Sequence, residues 1–134
     1  VYYSVAPDMK TIEVVAAIIK VDSKFLCLQR GEHNYDYVSF KYEFPGGKIE
    51  IGESRPQALI REIKEEPDCA IWVDREFLTV EHQYPDFQLL MHSYLCTAKD
   101  INFTLIEHIY YKWLTANQLE RLDWQQQTEL LSNN

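Results

Sequence analysis

Gly46-Gly47-Lys48-Ile49-Glu50-Ile51-Gly52-Glu53, followed at once by Ser54-Arg55-Pro56-Gln57-Ala58-Leu59-Ile60-Arg61-Glu62-Ile63-Lys64-Glu65-Glu66, is a glycine turn that runs into a segment with helical spacing and acid on one side. Ser54 with Gln57 three residues later is a capping-box pattern, and Pro56 falls in the first turn, where its missing N–H costs nothing. The spacing predicts a helix from there to about Glu66. At about 3.6 residues per turn, Glu62, Glu65 and Glu66 are related by i,i+3 and i,i+4, so their side chains converge on one face and Leu59 and Ile63 turn toward a core.

Like charges at those spacings repel by roughly a few tenths of a kcal/mol per pair, and a helix with no task for them would more often interleave lysines. A cation therefore belongs among them. Hard divalent ions take oxygen ligands, and magnesium combines carboxylates with waters and substrate phosphate oxygens. Such an ion would let a polyphosphate approach an acidic face, offset its charge and lower the pKa of a coordinated water. The plain alternative for a lone E-x-x-E-E is a solvated acidic helix face.

The surrounding residues decide between the two. The stretch from Gly47 to Cys69 resembles the Nudix box, G-x5-E-x7-R-E-U-x-E-E-x-G-U with U apolar, and Gly47, Glu53, Arg61, Glu62, Ile63, Glu65, Glu66 and Cys69 all stand at matching places. Asp68 departs from it, at the position of the glycine that ends the helix in a left-handed conformation. Asp is among the few other residues that tolerate that conformation, and Pro67 does not readily continue a helix, so the stop signal is kept. The entering segment, Tyr42-Glu43-Phe44-Pro45-Gly46-Gly47-Lys48-Ile49-Glu50, resembles that of MutT-type nucleoside triphosphate pyrophosphohydrolases, and Met9 to about Leu131 can be laid along that family.

The resemblance implies an α/β (α+β) Nudix fold, a mixed β-sheet sandwiched between helices. It also implies Mg2+, with Mn2+ as a possible substitute, held by Glu62, Glu65 and Glu66 and the main-chain carbonyl of Gly46, where glycine lets the backbone approach closely. Glu107, ahead of Trp113, matches a further metal-ligating or base glutamate; without the family it would be an ordinary loop acid. Glu65, Glu66 or Glu107 would take the proton of the attacking water. Arg61, whose planar guanidinium can hold carboxylates bidentately, would orient the glutamates with Glu53 as its partner.

The implied reaction is hydrolysis of a nucleoside triphosphate to nucleoside monophosphate and pyrophosphate, clearing oxidised or surplus nucleotides. Positions matching Gln29, Phe44, Phe87 and Thr128 approach the base in such enzymes, with Phe44 suited to stacking and Gln29 or Thr128 to hydrogen bonds. Relatives that prefer oxidised guanine carry Asn near Thr128 and often Arg near Gln29 or Phe87. This chain has neither, which weakens 8-oxo-dGTP and leaves CTP- or dCTP-like substrates open. Two alternatives stand beside this reaction: a pyrophosphatase for ADP-ribose or another nucleoside diphosphate derivative, and a Nudix module that senses nucleotide without turnover.

The 134 residues, 46% of them hydrophobic, suit one core, with residues 1–8 an N-terminal or expression-derived extension and 9–134 a single Nudix domain. A net charge of −8 and a pI near 4.9 argue against a nucleic-acid polymer or an anionic membrane as partner, which leaves a small nucleotide. No apolar run is long enough to span a bilayer and no leader pattern opens the chain, so the expected location is cytoplasmic. Monomer and homodimer are both open. Cys27, Cys69 and Cys96 are odd in number and widely spaced, and read as reduced core thiols. His33, His82, His92 and His108 are scattered and read as surface or satisfied polar residues. Strands are expected at 11–20, 24–30, 71–83, 87–97 and 109–114, a polar loop at 31–41, and helices at about 115–122 and 123–131, the first opened by a Thr115/Gln118 capping box.

Overall fold

Asp22 and Ser23 reverse the chain between its first two strands, both with positive φ (50° and 66°), the conformation that a two-residue hairpin turn demands. In the computed structural model, which describes residues 10–32 and 41–119, that turn joins β1 (Lys10–Val21) to β2 (Lys24–Arg30). Short strands β3 (Tyr42–Glu43) and β4 (Gly46–Lys48) follow, then α1 (Arg55–Glu65), β5 (Cys69–Gln83), β6 (Phe87–Ile101), β7 (His108–Leu114) and α2 (Ala116–Leu119). The sheet runs β3-β2-β1-β6-β5, with β4 paired to β1 and β7 to β2. It is mixed: β1 and β6 are parallel, from Lys10 opposite Phe87 to Ile19 opposite Cys96, and the other pairs are antiparallel.

Alternation along β1 splits the core between two faces. Val15, Ala17 and Ile19 pack with Leu26, Leu28, Tyr94 and Cys96 beneath Ala58, Leu59 and Ile63 of α1. Ala16 and Ile18 face the other way, onto Tyr42, Phe44, Met91 and Leu119 of α2. The sheet therefore lies between the two helices, as the sandwich expectation requires. Leu59 and Ile63 are fully buried, and burial of one such side chain stabilises by roughly 1.5–3 kcal/mol.

The Ser54 capping box forms, with the Ser54 hydroxyl accepting from the Gln57 N–H at 3.2 Å and the Gln57 side chain accepting from the Ser54 N–H at 2.9 Å. At the other end Asp68 takes a left-handed φ of 66°, and Lys64 reaches its carboxylate at 2.9 Å. The three cysteines are buried free thiols. Burial pushes Cys27 and Cys96 up to about 12 and Cys69 to about 11. Among the described residues no helix is long and apolar enough to cross a membrane. The helix expected at 123–131, most of the loop at 31–41 and the end of the helix at 115–122 lie outside the described residues.

Candidate active site

Gly46 and Gly47 form the edge of β4 against β1, and neither has room for a side chain. A Cβ on Gly46 would collide with the Val15 carbonyl, and one on Gly47 with the Glu62 carboxylate. The helix face above them carries Arg61, which gathers the acids of the box. Its Nε bonds Glu53 Oε2 at 2.6 Å and its second terminal nitrogen bonds Glu53 Oε1 at 2.9 Å, a bidentate pair. The remaining terminal nitrogen reaches Glu62 at 3.0 Å and Glu65 at 3.4 Å, and the guanidinium also donates to the Lys48 carbonyl at 3.1 Å. Bonds from Arg61, and the Glu50 N–H, hold the Glu53 carboxyl down at about 2. Glu53 in turn pushes the guanidinium upward, so this pair stays charged.

The three glutamates border one cavity, but Glu66 does so from the end of the helix. The helix closes at Glu65, and Glu66 is its C-cap in extended conformation (φ −156°, ψ 119°), because Pro67 ends the hydrogen-bond ladder. Its carboxylate instead accepts main-chain N–H groups from the segment that opens β7: Ile106 at 2.6 Å, Glu107 at 3.1 Å and His108 at 3.0 Å, all on Oε2. Burial pushes this carboxyl up, but the three N–H donors and the nearby His108 outweigh it and hold Glu66 below the usual range. Glu62 goes the other way. Burial raises it, against the pull of Arg61, and repulsion from Glu65 and Glu107 adds to the rise.

Glu62, Glu65, Glu66 and Glu107 share the lining of one cavity of about 280 Å³ with Gly46, Arg30, Ile106 and His108. Among the described residues no three acidic, histidine or cysteine side chains are drawn together as a ready-made ion site, since Glu62 and Glu65 turn onto Arg61 and Glu66 onto amides. The donor set still suits a hard divalent cation. Four carboxylates border one space, and Glu62 is held there with its charged form disfavoured, an imbalance that a cation would relieve.

Three residues that the sequence did not single out complete the site. Arg30 ion-pairs Glu43 at 3.0 Å and approaches Glu107 at 3.8 Å. His108 is buried, not at the surface: its Nε2 lies 2.7 Å from Glu43 Oε2 and its Nδ1 3.2 Å from Glu66 Oε2. Burial lowers its pKa, but Glu43 and Glu66 outweigh that and raise it. The one available signal was alternation, which puts Leu28 and Arg30 on one face of β2, opposite Glu43 and His108.

Among the described residues, the base-contacting positions Gln29, Phe44 and Phe87 do not line this cavity. Gln29 is half-buried between Tyr42 and Tyr110 on the face opposite Arg30. Phe44 is 5% exposed and packs in the α2-side core, so the stacking surface expected of it is covered. Phe87 begins β6, six residues and about 20 Å along the strand from Ser93, which lies level with Ala16 and Gly46. Thr128 lies outside the described residues.

The NUDIX domain family matches residues 9–133. The chain is 35% identical over 116 residues to the CTP pyrophosphohydrolase of Escherichia coli K12, covering 87% of this chain and 83% of that protein. It is 31% identical over 87 residues to the 8-oxo-dGTP diphosphatase of the same strain, covering 65% and 67%. The solution structure of the E. coli ORF135 protein superposes with a TM-score of 0.76 at 30% identity, over 97% of this chain and 91% of that one. A glycine edge facing four carboxylates, an arginine-braced helix and a family match across nearly the whole chain lead to one conclusion: the protein belongs to the Nudix family and is a hydrolase of phosphoric anhydride bonds.

Proposed function

We propose that the protein hydrolyses nucleoside triphosphates to nucleoside monophosphate and pyrophosphate in the cytoplasm with Mg2+, Mn2+ serving as a substitute. Nudix hydrolases generally use divalent metal ions. The observation that carries the proposal is the cavity in which Glu62, Glu65, Glu66 and Glu107 face the Gly46 edge. A divalent ion bound there supplies neutralisation of phosphate charge and activation of water. Arg30 lines the same cavity and offers a guanidinium to phosphate oxygens.

Water adds to phosphorus, the bridging P–O bond breaks toward the leaving phosphate, and one carboxylate takes the proton. Glu66 is the poorest base of the candidates, because its lone pairs are committed to three N–H groups and its pKa is held down. Glu65 and Glu107 remain for that role, and both are exposed at the cavity. For the base we infer a cytidine triphosphate. The sequence lacks the Asn near Thr128 and the Arg at Gln29 or Phe87 that are tied to oxidised guanine, and the relative named for CTP is the more similar of the two over the longer span.

The test is a screen of ordinary and oxidised nucleoside triphosphates and ADP-ribose, with and without Mg2+, with products separated by chromatography. CTP or dCTP should rank first and yield monophosphate and pyrophosphate only with metal. AMP and ribose phosphate from ADP-ribose as the preferred reaction would replace this proposal. The double variant Glu65→Gln, Glu66→Gln should lose about 10²–10⁴ in turnover and stay folded; unchanged turnover would remove these residues from the chemistry.

A further inference from the structure

We propose that His108 is a positioning residue, resting on the cavity assignment above, which fixes the Glu66 carboxylate and the segment bearing Glu107 for a divalent ion. Glu66 needs such a support because it is the helix C-cap, where its N–H still bonds the Glu62 carbonyl at 2.9 Å but its own φ and ψ are already extended. Three successive amides, from Ile106, Glu107 and His108, meet on its Oε2. They meet there only if the 106–108 segment keeps its course.

The backbone holds that segment at two points, the pairing of His108 with Arg30 and the Gly31 N–H that donates to the Glu107 carbonyl at 3.3 Å, but the register shifts between Gln29 and Arg30 and leaves Ile109 without a partner in the pairing. A further anchor is the His108 side chain, 5% exposed, whose Nε2 lies 2.7 Å from Glu43 Oε2. Glu43 is fixed in turn by its place in β3 opposite Leu28 and by Arg30. It stands three residues ahead of Gly46. The imidazole thus closes a ring of three chain segments, 43–46, 62–66 and 106–108, which together with Arg30 supply the lining of the cavity.

Nδ1 separates this role from that of a satisfied core histidine. It is buried, makes no hydrogen bond and lies 3.2 Å from Glu66 Oε2, on a residue that lines the cavity. The ring is therefore a wedge between two carboxylates. Partners one step removed from a metal ligand typically affect metal affinity by about 10–100-fold when removed.

The experiment measures Mn2+ dissociation constants by electron paramagnetic resonance on the whole chain, with thermal unfolding followed in parallel. His108→Leu should bind Mn2+ about 10–100-fold more weakly than wild type. His108→Gln, which returns a donor toward Glu43, should recover part of the loss. His92→Gln, which removes a buried histidine elsewhere, should lower stability and leave Mn2+ affinity unchanged. A folded His108→Leu within twofold of wild type overturns the proposal. If that variant does not fold, Glu43→Gln decides: weaker Mn2+ binding supports the role, because Glu43 does not line the cavity, and unchanged binding overturns it. Wild-type protein that binds no Mn2+ also overturns it. Wild-type protein that binds Mn2+, loses it in His108→Leu and yet turns over no nucleotide would remove only the proposed activity.

Discussion

At the N-terminal end of α1, His92 bonds Glu13 through Nε2 at 2.5 Å and Thr79 through Nδ1 at 3.0 Å, while Arg55 lies 3.6 Å from the same glutamate. At the C-terminal end, His108 bonds Glu43 through Nε2 and holds an unbonded Nδ1 beside Glu66. Both histidines are buried, both face a glutamate, and an arginine stands near each glutamate. The difference is that one cluster closes on itself and the other opens onto a cavity where Glu62 is pushed up by burial and by its acidic neighbours. Burial of a polar group alone therefore does not mark a site. An unsatisfied nitrogen and like charges in excess of their partners do.

The contrast meets its hardest test at Gly47. Its backbone conformation accepts an ordinary residue, so Gly47→Ala should cost little stability, but the added carbon would occupy the place of the Glu62 carboxylate. A displacement of about 1 Å at a catalytic group can cost about 10² in rate. The expected result is a loss of that order in kcat with near-normal thermal unfolding. A loss below threefold would mean that Glu62 works from a second position, and the C-terminal end would be less finely set than the distances suggest.

His92 should behave in the opposite way. His92→Leu leaves the Thr79 hydroxyl without its partner and Glu13 with Arg55 alone, which costs about 1–3 kcal/mol in urea unfolding. Turnover at saturating substrate should stay at the wild-type value. A fall in kcat without loss of stability would erase the distinction between the two ends.

The difference between the ends also explains what the sequence could disclose. Contacts within the box are local and fixed by helix period: Ser54 with Gln57, Arg61 with Glu53, and Leu59 and Ile63 toward the core all stand where spacing puts them. The long strands were legible too, within four residues at their ends, because alternation and the turns at 22–23 and 84–86 are local signals. β3 and β4 were not, since strands of two and three residues carry no period and exist only by pairing with β2 and β1. The partners of the Glu66 carboxylate were hidden for a related reason. The amides that capture it lie 40 residues or more away in sequence. His108, Arg30 and Glu43 belong to the same class: their meeting is a property of the sheet, and no window of sequence contains it.

The smallest effect that still separates the ends is a response to acid at Glu53. Arg61 and the Glu50 N–H lower this carboxyl from 4.5 to about 2 in the folded chain. A carboxylate depressed by folding contributes stability that is present above its unfolded pKa and is lost as pH falls through the folded value. Wild-type protein should accordingly lose part of its stability between about pH 4.5 and pH 2, and Glu53→Gln should show a shallower decline across that window. Solvent reaches the pair, and screening keeps the difference modest. Parallel profiles for the two proteins would mean that Arg61 is braced by Glu62, Glu65 and the Lys48 carbonyl without needing Glu53. In that case the order at the C-terminal end of α1 would come from the cavity inward, not from the turn that precedes the helix.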